Sequence, residues 1–554
     1  MIQITRRLIL DYEMYFGVKP PENRISIIKH ICKENILYEI TGLNYRLKPK
    51  NRILVDDTFE TQARELRYFT RTKELLIKYS SIANKHTKNK IDFPNIFNKP
   101  ACLFAIEEIV NSDEIHPIEG FSMEETEVWE SILKYLLAVN YTITQIKKEQ
   151  DSSKISFESL NPKLIPLNEI IVETDPFYTA YRGYCLINYF LNNTIFSTEV
   201  REYFYETYGV EPNYFVFQVI SMYNANRSAN PNWDFCYFVK DGDQNLFDKL
   251  SVRNYNKETY KLLNIRKSPF IKIRKLRYLI ADNSFLVEKT YSQFLNDFWF
   301  DRVKHIKDDI GNNKFSIKLY RSEFGYFFEK YLCEILKRCF ENHPHSTLLM
   351  FDQLKVKAPT GQIEIADVYF RSDNKIFLGQ VKSGSIYDME KYGGDINSLY
   401  KNDRNAFFEN FGVNQIVESL TNVSHYACDV DPKFLNASPY EIYPCIIVND
   451  KPFQTPLMAN TFNTRFQELI KDFSTKKFIV KPLALIHIND LERLEDDISK
   501  NPENIWHLLQ CNHMNRKFIP PFYSAINDKG LGVNYSKTVL DTCKMLITKY
   551  SHSE

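Results

Sequence analysis

A strand-like segment in the C-terminal half, 362–370 (QIEIADVYF), carries an acid on a face that is otherwise apolar. The two-residue period of a β-strand places Asp367 beside Ile363, Ile365 and Tyr369. An unpaired carboxylate is costly on a face that packs into a core. The segment therefore predicts a sheet in which Asp367 lies at a strand end and has a partner or a chemical role.

The next segment, 375–384 (KIFLGQVKSG), follows an RSDN turn and shows the same change of character. Ile376, Leu378, Gln380 and Lys382 share one face by the same period. The apolar face thus ends in an amide and an ammonium group, so this strand also predicts a polar site at its end.

A helix before the two strands offers a second carboxylate. Residues 321–342 have an amphipathic pattern, with apolar residues at three-to-four spacing, namely Phe324, Phe328, Tyr331, Leu332, Ile335 and Cys339. At about 100° per residue, Glu329 falls at the margin of this stripe, between Leu336 and Phe340. It is predicted to face the sheet, and a solvent-reaching edge residue is the alternative.

This set of residues suits the hydrolysis of phosphodiester bonds. Oxygen atoms of Glu329, Asp367 and Gln380, with the Val381 carbonyl, are ligands that hard divalent cations prefer. Such an ion activates water and neutralises charge on the phosphate, while Lys382 can stabilise the transition state. We therefore predict Asp367, Gln380, Lys382 and Glu329 as the catalytic residues.

These motifs resemble the PD-(D/E)XK nuclease superfamily, on GYFFE with Glu329, IEIADVYF with Asp367, and the tripeptide Gln380-Val381-Lys382. The resemblance implies an α/β core in which helices flank a mixed central sheet. It implies Mg²⁺ or Mn²⁺ held by Glu329, Asp367, position 380 and Val381. Gln380 departs from the commonest acid and is similar to Mrr-like members, and a neutral amide binds a cation more weakly.

Segments after Lys382 extend the resemblance. NQIVESL (414–420) is a predicted helix whose Gln415 can reach the metal or the substrate, and an ordinary surface position is the alternative. Segments 440–450 and 476–490 are predicted later strands of the same sheet.

Four regions are expected along the chain. They are a mostly helical module (1–144), a Lys/Ser/Glu/Gln-rich linker (145–165), an aromatic-rich helical domain (166–310) and the nuclease-like domain (311–554). The basic segment 264–278 predicts either phosphate contact or a basic strand edge.

Composition excludes few functions. The chain has 71 Lys and Arg against 70 Asp and Glu, so nucleic-acid binding would depend on local patches. Ten cysteines without a CxxC pair predict reduced thiols in the cytoplasm, and no export signal or membrane span is expected.

We therefore expect a metal-dependent endonuclease that favours DNA over RNA, acting in restriction or anti-phage defence under regulation by its N-terminal modules. A homodimer or a protein partner bound through those modules is also expected. Two alternatives stay open. One is a catalytically weak or inactive nucleic-acid-binding or scaffolding subunit of a defence or DNA-processing complex, and the other is an adaptor that binds a basic partner through the nine acids of 101–133.

Overall fold

The computed structural model divides the chain into two compact units. They are Met1–Asp151 with Glu173–Val303, and Ser152–Val172 with Lys304–Glu554. No described helix is long and apolar enough to cross a membrane. The residues that the structure describes are 8–47, 58–70, 73–86, 94–115, 125–148, 169–172, 174–225, 235–252, 262–340, 343, 346–359, 361–385, 404–434, 439–473, 477–513 and 518–551.

The first unit is mostly helical, with one small antiparallel sheet of order β1-β3-β2. Its helices are α1 (Tyr12–Phe16), α2 (Lys33–Arg46), α3 (Phe59–Phe69), α4 (Lys73–His86), α5 (Lys99–Asn111), α6 (Glu125–Lys148), α7 (Pro176–Asn193), α8 (Ser197–Tyr208), α9 (Pro212–Ala225), α10 (Gln244–Lys249), α11 (Leu263–Lys267), α12 (Asn283–Glu288) and α13 (Ser292–Asp301). Its strands are β1 (Cys236–Phe238), β2 (Phe270–Arg274) and β3 (Arg277–Ile280).

The sequence suggested 1–144 and 166–310 as separate modules. This unit contains all of the first segment and residues 173–303 of the second. Buried polar contacts join them: the Lys99 ammonium lies 3.0 Å from Asp282, and the Asn44 amide donates to the Ala281 carbonyl. Of the predicted linker, 145–148 end α6 and 149–165 lie outside the described residues.

The basic segment 264–278 forms α11, β2 and the start of β3. Its cations have acidic or aromatic partners: Lys272 pairs with Asp248, Arg274 pairs with Glu34, and Arg277 lies over the Phe238 ring. Because nearby acids neutralise much of this charge, the contacts favour the strand-edge interpretation over phosphate contact.

The second unit alternates strands and helices. Its helices are α14 (Ile317–Phe340), α15 (Arg404–Asn410), α16 (Val413–Val430), α17 (Pro456–Leu469), α18 (Ile488–Lys500), α19 (Glu503–Asn512), α20 (Phe522–Lys529) and α21 (Lys537–Tyr550). Its strands are β4 (Ser346–Met350), β5 (Lys355–Ala358), β6 (Gly361–Glu364), β7 (Val368–Ser372), β8 (Lys375–Lys382), β9 (Tyr440–Val448), β10 (Phe478–Val480) and β11 (Ala484–His487).

Six of these strands form a mixed sheet of order β10-β9-β8-β7-β4, with β11 also pairing with β9. β4, β7 and β8 are antiparallel neighbours, whereas β8, β10 and β11 all run parallel to β9. The predicted mixed sheet with flanking helices is therefore present in the C-terminal half.

Helices cover both faces of this sheet. On one face, residues of β7, β8 and β9 pack against α15, α16 and α17; this core includes Tyr369, Ile376, Leu378, Ile442, Ile446, Phe407, Ile416, Leu420 and Phe462. On the other face, the Phe370 ring stacks on Phe340 of α14 and on Trp506 of α19. The distances between ring centroids are 3.9 Å and 5.6 Å.

One predicted strand is interrupted, as is the segment before it. Residues 348–357 contain a 3₁₀ turn, Phe351–Leu354, between β4 and β5. The segment 362–370 was expected to be one strand, but β6 ends at Glu364 and β7 begins at Val368. Among the described strands, β5 and β6 pair with each other in a separate hairpin, so residues 365–367 connect that hairpin to the large sheet.

Candidate functional site

The predicted site residues of β8 lie where the parallel strands end. Lys382 is in register with Val448 of β9, and Val448 is in register with His487 of β11. All three residues end their strands at the same edge of the sheet. In α/β proteins, ligands bind outside the carboxyl ends of such strands.

Asp367 lies at the bend before β7. Continuing the register of Val368 with Gly379 places it opposite Gln380, and its N–H donates to the Gly379 carbonyl at 3.1 Å. Its carboxylate Oδ2 accepts a hydrogen bond from the Val381 N–H at 2.6 Å. Because the N–H and C=O of one residue leave a strand on the same side, the Val381 carbonyl also leaves β8 on the side of Asp367.

Glu329 reaches this edge from α14. A Cβ built on Gly325, one helical turn earlier on the same ridge, would lie 3.7 Å from the Ser383 hydroxyl, directly after Lys382. The Glu329 side chain is exposed, although Leu336 and Phe340, which flank it around the helix, are buried. Nevertheless, loss of solvent around its carboxyl raises its pKa, and the negative charges of Asp367 and Glu364 raise it further.

Three carboxyl groups at this edge have raised pKa values. Burial raises the pKa of Asp367, while the hydrogen bond from Val381 and the Lys382 charge act in the opposite direction. Burial also raises the pKa of Glu364, and the charge of Asp367 adds to this effect. Each carboxyl is therefore easier to protonate than an ordinary one, and a bound cation would relieve the repulsion among them.

Gln380 is buried on the sheet face that α16 covers. Its Nε2 donates to the Ser419 hydroxyl of α16 at 3.1 Å, and 6% of the residue is exposed. A polar side chain on this apolar face is thus satisfied by a helix hydrogen bond.

Lys382 is half-buried at the same edge. Burial lowers the pKa of its ammonium group, and the charges of Asp367, Glu364 and Glu329 oppose that effect. Its Nζ donates a hydrogen bond to Oε1 of Gln415, at the start of α16. Gln415 is exposed, as an ordinary helix-surface residue would be. It also contacts Lys382, which is a predicted catalytic residue.

The charges of Glu329, Asp367 and Lys382 interact, and Gln380 lies opposite Asp367 when the register of β7 and β8 is continued. The structure adds two residues that the sequence analysis missed. Glu364 was missed because a continuous strand would turn it away from Asp367, whereas the break at 365–367 reorients it. Ser419 was missed although it follows Gln415 by four positions, which places both on one face of a helix.

The donor atoms at this edge are carboxylate, amide and carbonyl oxygens, which are the ligands that Mg²⁺ and Mn²⁺ prefer. Within the described ranges, no group of three or more His, Cys, Asp or Glu side chains is close enough to hold a metal ion. A metal at this site would therefore be held by at most two of these carboxylates, and Gln380 Oε1, the Val381 carbonyl or water would complete its ligands.

Comparison of the chain with models of protein families, with curated protein sequences and with solved protein structures found no match. The resemblance to the PD-(D/E)XK nucleases therefore stays a prediction from the sequence motifs.

Proposed function

We propose that this protein is a metal-dependent nuclease that hydrolyses phosphodiester bonds, with DNA as the favoured substrate. The observation that supports this most is the contact between adjacent strand ends: Asp367 accepts from the Val381 N–H, and Lys382 follows directly in β8. Lys382 there lies in the field of three carboxylates. This combination of acids and one ammonium group suits a metal and a phosphate together.

In this proposal each residue has a distinct role. Asp367, Glu329, the Gln380 amide oxygen and the Val381 carbonyl would hold Mg²⁺ or Mn²⁺. When bound, such an ion would supply Lewis-acid stabilisation of the phosphate and would lower the pKa of water. Lys382 donates hydrogen bonds from Nζ to a phosphate oxygen or to the attacking water, and its lowered pKa also eases proton transfer at Nζ.

The biological setting is proposed by analogy with the architecture, in which a large helical part accompanies the nuclease-like domain. We infer a cytoplasmic restriction or anti-phage nuclease that the helical first unit regulates, alone, as a homodimer or with a protein partner. The ten cysteines are all free thiols, which suits a reducing compartment.

The test is incubation of the purified full chain with plasmid, linear and single-stranded DNA and with RNA, each with Mg²⁺, Mn²⁺ or EDTA. Metal-dependent cleavage is expected, and Lys382→Ala should lower its rate by roughly 10²–10³-fold because a transition-state donor is lost. Lys375→Ala is the matched control, since Lys375 begins the same strand and pairs with Glu503. Wild-type rates in Lys382→Ala would contradict the site assignment.

A second function is a nucleic-acid-binding subunit without catalysis. It is favoured by the lack of a three-acid metal group among the described residues and by the contact of Lys382 with Gln415. Binding of DNA without cleavage in any metal, at equal affinity in wild type and Asp367→Ala, would support this function over the first.

A further inference from the structure

The Ser419 hydroxyl contacts two groups that belong to the site. It lies 2.9 Å from the main-chain carbonyl of Gln415, one helical turn earlier, and 3.1 Å from the side-chain amide of Gln380. Only 2% of Ser419 is exposed, so water does not compete for these contacts.

The proton count fixes which end of the Gln380 amide faces Ser419. A serine hydroxyl has one proton to donate and lone pairs to accept with, whereas a carbonyl oxygen can only accept. The Ser419 proton therefore goes to the Gln415 carbonyl, as the helix geometry favours. The second partner of Ser419 must then be a donor, which is the Nε2 end of the amide.

We propose that Ser419 is a positioning residue that presents the oxygen of the Gln380 amide, and not its nitrogen, to a divalent cation. The inference rests on the proposed function, because it specifies how a neutral glutamine acts as a ligand in that site. The amide nitrogen only donates hydrogen bonds, so a reversed amide would direct N–H groups at the cation. A fixed orientation removes this unfavourable state.

The same helical turn also holds the other polar side chain of the tripeptide. Gln415 accepts the Ser419 proton at its main-chain carbonyl and a Lys382 hydrogen bond at its side-chain Oε1. Gln380 and Lys382 lie on either side of Val381 in β8, so their side chains share one face of the strand. The start of α16 therefore orients both side chains.

A carboxylate offers the test, because its two ends are identical. In the wild-type chain, Ser419→Ala frees the amide to reverse, which should weaken Mn²⁺ binding about tenfold, as the loss of outer partners of metal ligands commonly does. In a Gln380→Glu chain, reversal exchanges two equivalent oxygens. There, Ser419→Ala should change Mn²⁺ affinity by less than about twofold.

The experiment is calorimetric titration of the full chain with Mn²⁺ in four proteins: wild type, Ser419→Ala, Gln380→Glu and the double variant. Asp367→Ala identifies the binding that belongs to this site, and thermal unfolding verifies that each variant is folded. Ser424→Ala is the control, because Ser424 lies on the same helix and is half-buried. It should leave Mn²⁺ affinity unchanged.

The possible failures are distinguishable. Equal weakening by Ser419→Ala in both backgrounds, or none in the wild type, would overturn the positioning role while leaving the metal site in place. If Asp367→Ala removes no Mn²⁺ binding from the wild-type chain, the proposed function itself fails and the inference fails with it.

Discussion

At the residue scale, two features require glycine at position 412, namely its left-handed backbone and the closeness of Lys382. Its φ is +85°, and an added Cβ would lie 2.7 Å from Cε of Lys382. We expect Gly412→Ala to destabilise the fold by about 1–2 kcal/mol through left-handed strain and to lower cleavage by displacing Lys382. Denaturant unfolding and cleavage rates measure the two effects.

Gly530 is the control that separates backbone strain from displacement of Lys382. Its φ is +65°, and an added Cβ would meet nothing within 4 Å. Gly530→Ala should therefore lose similar stability but keep its cleavage rate. If both variants cut equally well, Gly412 has no part in holding Lys382.

In the absence of metal, the ionised Asp367 carboxylate should lower the free energy of unfolding. Its pKa is raised above the ordinary value of 3.8, so the folded chain binds this proton more tightly than the unfolded chain does. Stability therefore increases as pH falls through the raised pKa. We expect Asp367→Asn to raise the free energy of unfolding at pH 7 in EDTA, and this gain should disappear below about pH 3, where the carboxyl is protonated in both states.

Urea unfolding of wild type and variant at both pH values measures this difference. Asp373→Asn, in the exposed turn between β7 and β8, is the control and should change stability little at either pH. A loss of stability in Asp367→Asn at pH 7 would contradict the direction of the pKa shift.

At the scale of elements, a buried ion pair holds the end of α16 to the sheet. Arg371 of β7 donates from Nε and Nη2 to Asp431, directly after α16, and Tyr369 donates from its hydroxyl to the same carboxylate. Burial acts to raise the pKa of Asp431, but the hydrogen bonds and charge of Arg371 outweigh it and lower the pKa. The Asp431 carboxylate therefore stabilises the fold at pH values above the ordinary carboxyl pKa. This contribution is lost as pH falls through the lowered pKa of the folded state.

Asp431→Ala should cost about 3–5 kcal/mol, because it leaves the Arg371 charge buried without a partner. Denaturant unfolding at pH 7 measures the loss. Asp496→Ala removes the partner of the exposed Lys500 and should cost less than about 1 kcal/mol. Similar losses in the two variants would mean that burial of the Arg371 pair has no special weight.

At the scale of the whole molecule, charged residues that are far apart in the sequence hold the first unit together. Lys99 and Asp282 are almost completely buried as an ion pair, and Asp282 also caps α12 through the Ser284 N–H. Glu107 of α5 accepts from the main-chain N–H groups of Asn264 and Ile265. These contacts explain why the N-terminal and middle segments form one compact unit.

Asp282→Ala in the full chain should therefore destabilise the first unit by about 3–5 kcal/mol. The matched control is Asp301→Ala, since Asp301 pairs with Lys267 at the surface and should cost less than about 1 kcal/mol. Urea unfolding followed by circular dichroism measures both. An effect of Asp282→Ala no larger than that of the control would show that the two segments are held together by other contacts.

The sequence by itself determined the elements whose evidence is local. The three-to-four spacing around Phe328 and Ile335 predicted α14, and the two-residue period placed Gln380 and Lys382 on one face of β8, where both now contact α16. Only the tertiary structure decided that Glu364 joins Asp367, that Ser419 meets Gln380, and that the first two segments share one unit. Periodicity reports the direction of a side chain within one element, whereas a strand break and the packing of distant elements depend on contacts between residues far apart in the chain.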